Sequence, residues 1–180
     1  VKLGIPFLTV YALSTENLKE REKSELKELF ALIQKGLVEK IPMLKEEGVR
    51  IKFIGNTQAL PFAVRQAVKI AEKSLAEGKV SQLNIALNYG SREEISEAAK
   101  KLKSDKATLE EFSDLLFTKD LPDPDLIIRT GGQKRLSNFL LWQAAYSELY
   151  FTDTLWPDFG GQDLKAAVED FEKRKRNFGA

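Results

Sequence analysis

Two arginines and two hydroxyl side chains around a pair of glycines have the clearest capacity for chemistry in this sequence. Arg129 and Arg135 flank the glycines at 131–132, and Thr130 and Ser137 lie beside them. Guanidinium groups and hydroxyls donate hydrogen bonds to phosphate oxygens, and glycines let backbone N–H groups approach an anion closely. The spacing therefore predicts a diphosphate-binding site. The alternative is a pair of surface arginines around an ordinary loop.

The residue types that are absent narrow the chemistry further. The chain contains neither cysteine nor histidine, which excludes disulfides, cysteine or histidine zinc sites and Ser-His-Asp catalysis. Arginine, carboxylate, amide and hydroxyl groups remain, and these groups handle phosphates together with magnesium. Glu148 lies shortly after the arginines and offers the hard oxygen ligand that Mg²⁺ prefers.

A second polar cluster follows the first predicted strand. Ser14, Thr15 and Asn17 supply two hydroxyls and an amide, and Lys19 and Arg21 supply two positive charges. One interpretation is that a hydroxyl or the amide caps the long helix that follows and that the charges are solvated. A helix N-terminus also attracts anions, so capping and ligand binding are compatible.

Hydrophobic runs rich in β-forming residues alternate with helical patterns along the whole chain. This alternation predicts an α/β fold, a single domain with a central parallel sheet flanked by helices. Pro42 is expected to kink or divide the longest helix, and Thr108 with Glu111 fits a capping box. The predicted strands are 7–13, 51–54, 83–89, 126–128 and 149–151, and the predicted helices are 22–47, 61–76, 91–103, 108–117, 139–146 and 162–178.

Composition and charge restrict the partners. The chain has 180 residues and a hydrophobic content of 43%, which suffices for one hydrophobic core. Its formal net charge is +1, so no electrostatic field of one sign favours binding to nucleic acid. No apolar run approaches the roughly 20 residues of a membrane span, and no secretory signal precedes the first strand. A cytoplasmic protein is expected.

Five stretches of this sequence resemble the cis-prenyltransferases, the family of undecaprenyl diphosphate synthases. The resemblance spans essentially the whole chain and implies the same fold. The matching stretches are Ser14-Thr-Glu-Asn17, Leu87-Asn-Tyr-Gly90, Asp123-Pro-Asp-Leu-Ile-Ile-Arg-Thr-Gly-Gly132, Arg135-Leu-Ser-Asn-Phe-Leu-Leu-Trp-Gln143 and Glu148-Leu-Tyr-Phe-Thr-Asp-Thr-Leu-Trp-Pro-Asp-Phe159.

The resemblance implies that isopentenyl diphosphate attacks an allylic diphosphate, such as farnesyl diphosphate, to give a long polyprenyl diphosphate. It implies Mg²⁺ as cofactor, bound with the help of Glu148 from the partner subunit of a homodimer. It also implies a cytoplasmic enzyme, peripheral at the inner membrane face, that delivers its product to the membrane. The family's catalytic residue matches Asn17. The matching substrate-binding residues are Ser14, Thr15, Glu16, Leu18, Arg21, Arg129, Arg135, Leu136 and Ser137.

The sequence departs from the family pattern at several points. The family has an aromatic residue where this chain has Leu18, an arginine where it has Glu20, and a glutamate where it has Gln133. The family's first strand and its Asp-Gly-Asn-Gly-Arg loop, which binds magnesium and the allylic diphosphate, would precede Val1. The expectation is a cis-prenyltransferase domain over 1–180 whose N-terminal strand and diphosphate loop are missing.

Two other functions remain open. A non-catalytic family subunit could partner an active chain, although the retained Arg129, Arg135, Ser137 and Glu148 argue against it. The other is a generic phosphate-binding α/β module. The absence of a Walker or dinucleotide glycine pattern from this sequence argues against that function.

Overall fold

A computed structural model of the chain describes residue 1 and residues 3–175 and divides the chain into two compact units. The first unit comprises residues 1–98 and the second begins at residue 99. Each unit contains its own parallel sheet, which confirms the α/β class. The prediction of a single domain stays a prediction.

The first unit contains a three-stranded sheet in the order β1-β3-β2, with both pairings parallel. The central strand β3 pairs on both sides, so that Ile85 lies opposite Val10 on one side and Phe53 on the other. A strand paired on both sides and covered by helices is expected to be largely apolar. The elements are β1 (Phe7–Ser14), α1 (Thr15–Glu20), α2 (Lys23–Glu46), β2 (Val49–Ile54), α3 (Phe62–Ser74), β3 (Ser81–Tyr89) and α4 (Ser91–Lys101), whose last three residues belong to the second unit.

The core of the first unit lies where α2 and α3 pack on each other and on β2. Val64 and Ala71 of α3 and Leu87 of β3 are completely buried within it. The long helix α2 contributes Leu37 together with a stripe of half-buried residues. Burying this apolar stripe explains why α2 stays in place beside the sheet.

The carboxyl ends of β2 and β3 are joined by a close backbone contact. Asn56 donates from its backbone N–H to the carbonyl of Asn88 (3.0 Å), and the Asn88 side-chain Nδ2 donates to the Asn56 carbonyl (2.9 Å). Gly55 has φ +111°, and a Cβ there would lie 2.3 Å from the Leu87 carbonyl oxygen. Only glycine fits this contact.

The second unit contains a two-stranded parallel sheet, in which β4 and β5 pair from Leu126 opposite Glu148 to Arg129 opposite Phe151. Helix α6 contacts β5. The elements are α5 (Leu109–Ser113), β4 (Leu126–Arg129), β5 (Glu148–Phe151) and α6 (Gly161–Lys173). No helix among residue 1 and residues 3–175 is long and apolar enough to cross a membrane.

The beginning of the long helix differs from the prediction. The predicted helix 22–47 is observed as α2, but Ser14 caps the separate six-residue helix α1 instead of α2. Pro42 does not divide α2, which continues to Glu46. One lost backbone hydrogen bond is outweighed by the apolar residues around Pro42, since Ile41 and Leu44 both pack against the core.

The predicted helix 139–146 is wrong, because these residues form bends and turns. Asn138 and Leu140 have φ values of 62° and 46°, in the left-handed region that a right-handed helix cannot use. The backbone shows one helix-like bond at its centre, from the Ala144 N–H to the Leu140 carbonyl. Leu140 and Gln143 are buried, whereas Leu141 and Tyr146 are exposed, so the apolar pattern predicted neither the helix nor a buried segment correctly.

Two helix boundaries were also predicted. The capping box of Thr108 and Glu111 is confirmed, with hydrogen bonds of 3.1 and 2.8 Å, although α5 is shorter than predicted and ends at Ser113. The predicted tail helix begins close to where α6 begins and ends earlier, at Lys173. Positions 176–178 of that prediction lie outside the described residues.

Candidate active site

Arg129 is the last residue of β4, at the carboxyl end of the second sheet, and its side chain is half-buried. Its carbonyl accepts a hydrogen bond from the Thr152 N–H (3.0 Å), which continues the ladder between the strands. The backbone at Arg129 is therefore fixed by sheet pairing. Ligands of parallel sheets bind at this end of the strands, where loops carry the polar groups.

Gly131 and Gly132 shape the turn but do not offer their N–H groups to an anion. The Gly131 N–H donates to the Thr154 carbonyl and the Gly132 N–H to the Thr152 carbonyl, both at 2.9 Å. Both glycines have positive φ values, 81° and 73°. The expectation that backbone N–H groups approach an anion here does not extend to these two N–H groups, because carbonyls of the neighbouring segment already accept from them. The donors available for an anion are side chains.

Arg135 lies on the exposed loop that follows the glycines. Its Nη1 donates to Gln133 Oε1 at 2.6 Å, so Gln133, where the family has glutamate, orients the guanidinium without neutralising it. Leu136 is half-buried, and Ser137 is exposed with φ 50°. A serine in this conformation is uncommon, and such strained residues cluster at binding sites.

Glu148 lies at the other end of the second sheet. It is the first residue of β5 and pairs with Leu126, whereas Arg129 pairs with Phe151. Three residues of a strand rise about 10 Å, so Glu148 and Arg129 are separated by about that distance along the sheet. The structure does not bring these two predicted site residues together within the second unit.

The Glu148 carboxylate is bound by Arg174, which the sequence analysis did not single out. Arg174 Nη1 donates to Glu148 Oε2 at 2.8 Å and to the Leu149 carbonyl at 3.0 Å. The hydrogen bonds that Arg174 donates to the carboxylates of Glu148 and Asp170 raise the pKa of Arg174 further above its ordinary value. Asp170 and Arg174 are four residues apart, a spacing that predicts an ion pair on a helix.

The carboxylates of the described residues fit magnesium only where substrate phosphates also bind the ion. No group of three or more acidic side chains that could hold a metal ion occurs among the described residues, so they form no cage built from protein ligands alone. Mg²⁺ is commonly bound through one or two carboxylates together with substrate phosphates. Glu148, a single carboxylate with 33% of its side chain exposed, fits that manner of binding.

The predicted residues of the first unit gather on α1. Ser14 Oγ accepts a hydrogen bond from the Asn17 N–H (3.0 Å), which makes Ser14 the N-cap. Thr15 is buried and donates from its hydroxyl to Glu16 Oε2 at 3.2 Å. Asn17 is exposed, and its carbonyl accepts from the N–H of Arg21, the C-cap. The capping interpretation is confirmed for Ser14, with α1 as the helix that it caps.

Leu18 has a structural contact that the sequence did not reveal. It is half-buried and packs against the hydrophobic core of the first unit, beneath α1. An aliphatic side chain here helps to fix α1 on the sheet. Substrate contacts by Leu18 and the other α1 residues stay predictions.

A buried polar network supports the same end of the first sheet. Tyr89 and Glu94 are almost completely buried, and the Tyr89 hydroxyl donates to Glu94 Oε2 at 2.6 Å. Tyr11 donates from its hydroxyl to the Tyr89 carbonyl at 2.9 Å, which links β1 to β3 next to Ser14. This network could not be predicted from the sequence, because no local pattern marks a tyrosine that bonds across strands.

The two tyrosines are held in their neutral form. Burial first, and then the negative charge of Glu94, raise the pKa of Tyr89 well above its ordinary value. Burial and then the charge of Glu16 raise the pKa of Tyr11 to about 12. Both phenols therefore remain hydrogen-bond donors even at a pH just above 10, where an ordinary tyrosine ionises.

Comparisons with known proteins identify the family. The sequence matches the profile of the prenyltransferase family described as undecaprenyl diphosphate synthase over residues 1–179. The chain belongs to this family of prenyltransferases, which confirms the resemblance seen in the sequence.

Individual relatives agree with the family profile. The isoprenyl transferase of Aquifex pyrophilus is 44% identical over 182 residues, which cover 99% of this chain and 78% of that protein. The geranylgeranyl-diphosphate-specific tritrans,polycis-undecaprenyl-diphosphate synthase of Methanopyrus kandleri is 46% identical, over 98% of this chain and 69% of that protein.

A solved structure confirms the predicted fold. Lavandulyl diphosphate synthase from Lavandula x intermedia, in complex with dimethylallyl diphosphate, has a TM-score of 0.95 and 36% identity to this chain. The comparison covers 99% of this chain and 81% of that structure.

Proposed function

We propose that this chain catalyses cis-prenyl chain elongation. The double bond of isopentenyl diphosphate attacks C1 of an allylic diphosphate such as farnesyl diphosphate, diphosphate leaves, and proton loss creates a cis alkene. Repetition gives a long, undecaprenyl-like polyprenyl diphosphate. The observation that carries the proposal is the set of arginine and hydroxyl donors at and after the carboxyl end of β4 in a chain of this family.

Arg129, Arg135 and Ser137 hold isopentenyl diphosphate in this proposal, with Leu136 beside its apolar part. The backbone of Arg129 is fixed by sheet pairing, and Gln133 orients the Arg135 guanidinium. Donors that are already in place lose little freedom when the diphosphate binds, which favours affinity. Because no glycine N–H is available in this turn, these side chains carry the binding.

The residues of α1 serve the allylic diphosphate and the proton transfer. Asn17 is exposed at the carboxyl end of β1, where it orients a diphosphate or a water molecule. A neutral amide is a very weak base, so a diphosphate oxygen takes the proton. Thr15 holds the segment through its hydrogen bond to Glu16, and Ser14, which caps α1, and Arg21 offer further donors.

Glu148 binds magnesium in this proposal, and the ion neutralises diphosphate charge when it is bound. Negative charge grows on the leaving diphosphate in the transition state, and preorganised arginine donors lower the barrier by stabilising it. The separation of about 10 Å between Glu148 and Arg129 along the sheet favours a homodimer in which Glu148 serves the partner's site.

The product suggests where the enzyme works. A long polyprenyl chain is insoluble in water, so we propose that a cytoplasmic enzyme, peripheral at the inner membrane face, delivers its product to the membrane as a cell wall lipid carrier. Flotation with anionic vesicles after synthesis tests this point. Equal flotation with and without product formation would argue against delivery by a transient contact.

Mass spectrometry of reaction products tests the activity. The protein expressed from its natural gene is incubated with isopentenyl diphosphate, Mg²⁺ and either farnesyl or geranylgeranyl diphosphate, since the Methanopyrus kandleri relative is specific for the latter. Elongated diphosphates in five-carbon steps are expected. Absence of product with both primers, combined with activity of another family member on addition of this chain, would identify a non-catalytic subunit.

A further inference from the structure

The C-terminal end of α6 is tied to Glu148 by one arginine. Arg174 uses Nη1 for Glu148 Oε2 and the Leu149 carbonyl, and it uses Nε and Nη2 for Asp170 Oδ2. The side chains of Arg174 and Glu148 are 28% and 33% exposed, so both groups are partly buried. Different nitrogens serve the two carboxylates, and Arg174 can release Glu148 while it keeps Asp170.

The charges of this cluster affect how Glu148 receives a cation. Arginine does not lose its proton in proteins, so its charge lies 2.8 Å from the oxygen that a metal would use. A bare divalent cation is repelled by that charge, whereas a cation that carries a diphosphate brings enough negative charge to be tolerated. Asp170 keeps the guanidinium close after the exchange.

We propose that Arg174 is a positioning residue that acts as an internal counter-ion of Glu148. In the substrate-free enzyme Arg174 occupies the Glu148 carboxylate, and this carboxylate accepts a divalent cation when the cation arrives together with a diphosphate. The inference rests on the proposed function, because that function assigns Glu148 to magnesium. It adds that the cation binds Glu148 jointly with a diphosphate and not before it, and that Arg174 is the residue that imposes this requirement.

Binding of Mn²⁺, followed by electron paramagnetic resonance in the absence of substrate, tests the inference in the full-length protein. Arg174→Gln keeps a hydrogen-bonding side chain and removes the charge, and we expect it to bind Mn²⁺ alone about tenfold more tightly than wild type. Arg174→Lys restores the charge and is expected to bind as weakly as wild type. Lys173→Gln removes a neighbouring exposed charge and is the matched control, with no change expected.

The opposite outcomes overturn the inference. If Arg174 only braces α6 against β5, Arg174→Gln lowers the melting temperature and leaves Mn²⁺ affinity unchanged or weaker. The gain must also disappear in the double variant Arg174→Gln/Glu148→Gln, because Glu148 is the proposed ligand. Persistence of the gain in the double variant would place the cation elsewhere and overturn the inference as well.

A second comparison separates this inference from the proposed function. Glu148→Gln is measured with Mn²⁺ and isopentenyl diphosphate together. If Glu148→Gln weakens this joint binding while Arg174→Gln has no effect on Mn²⁺ alone, the metal role of Glu148 stands and the inference fails. If Glu148→Gln leaves the joint binding unchanged, Glu148 is not the metal ligand and both fail.

Discussion

The local partners of individual side chains decide which of them can hold substrate. The N–H groups of Gly131 and Gly132 donate hydrogen bonds to neighbouring carbonyls, and the Glu148 carboxylate is paired with Arg174. The loop from Gln133 to Ser137, in contrast, exposes hydrogen-bond donors to solvent. Single substitutions on this loop should therefore change ligand affinity more than stability.

Replacing Arg129 with alanine should weaken binding of isopentenyl diphosphate by about 10- to 100-fold, the loss expected for a hydrogen bond to a charged group. The fold should remain, because Arg129 enters the ladder through its backbone. Isothermal titration calorimetry measures the affinity, with circular dichroism as the folding check. Lys134→Ala removes an exposed positive charge from the same loop and should change the affinity little. Equal affinities of Arg129→Ala and wild type would remove Arg129 from the site.

The tyrosine network predicts a loss of stability at high pH. The pKa of Tyr11 is raised from 10.0 to about 12 in the folded protein, so the unfolded chain loses this proton first. Its contribution to the free energy of unfolding is complete below pH 10 and is lost as the pH rises toward 12.

Urea denaturation between pH 9 and about 12 checks this prediction, because this pH interval spans the ordinary and the raised pKa of tyrosine. Tyr11→Phe should lose less stability over this interval than wild type does. Tyr146→Phe, at a position 82% exposed, is the control and should follow wild type. Parallel curves for Tyr11→Phe and wild type would contradict the raised pKa.

Among the secondary-structure elements, the contacts between strand ends fix the backbone on which the site is built. The connection after β2 passes so close to β3 that glycine is required at position 55. Gly36 in helix α2 lies in open space by contrast, because a Cβ there would meet no atom within 4 Å.

Gly55→Ala should therefore lower the free energy of unfolding by about 3 kcal/mol, because it adds a backbone clash to a left-handed φ. Gly36→Ala should raise it by about 0.5–1 kcal/mol, since alanine restricts the unfolded chain and suits a helix interior. Chemical denaturation of both variants measures the two changes. A mild effect at Gly55 would mean that the β2 connection can shift away from Leu87.

For the whole molecule, the second sheet places Glu148 and Arg129 at opposite ends of β5 and β4. The proposal of a homodimer rests on this placement. In a twofold dimer each site would then combine Arg129 of one protomer with Glu148 of the other.

Mixing two inactive variants tests this arrangement. Arg129→Ala and Glu148→Gln are refolded or coexpressed together, and half of the dimers then contain one protomer of each kind. One of the two sites in such a dimer is intact, so about a quarter of wild-type activity should return if the sites are shared between protomers of a symmetric dimer. Each variant alone is the control. No recovery in dimers shown to be mixed would place Glu148 and Arg129 in the same protomer's site.

Much of the architecture follows from local sequence. Alternating hydrophobic runs predicted all five strands within a few residues, and Thr108 with Glu111 predicted a capping box that the structure contains. These features depend on periodicity and on neighbours three or four residues apart. The family motifs likewise identified the prenyltransferase family.

What the tertiary structure decided were interactions between residues distant in sequence. The N–H groups of Gly131 and Gly132 are satisfied by carbonyls of the segment after β5. Residues 139–146 form turns instead of a helix, with a positive φ at Leu140. The bond of Arg174 to Glu148 joins α6 to β5 across 26 positions. The sequence by itself determined which residue types are available for phosphate chemistry. Pairing between distant segments decided which donors remain available, since each backbone and side-chain group satisfies its hydrogen bonds with whatever the fold brings near.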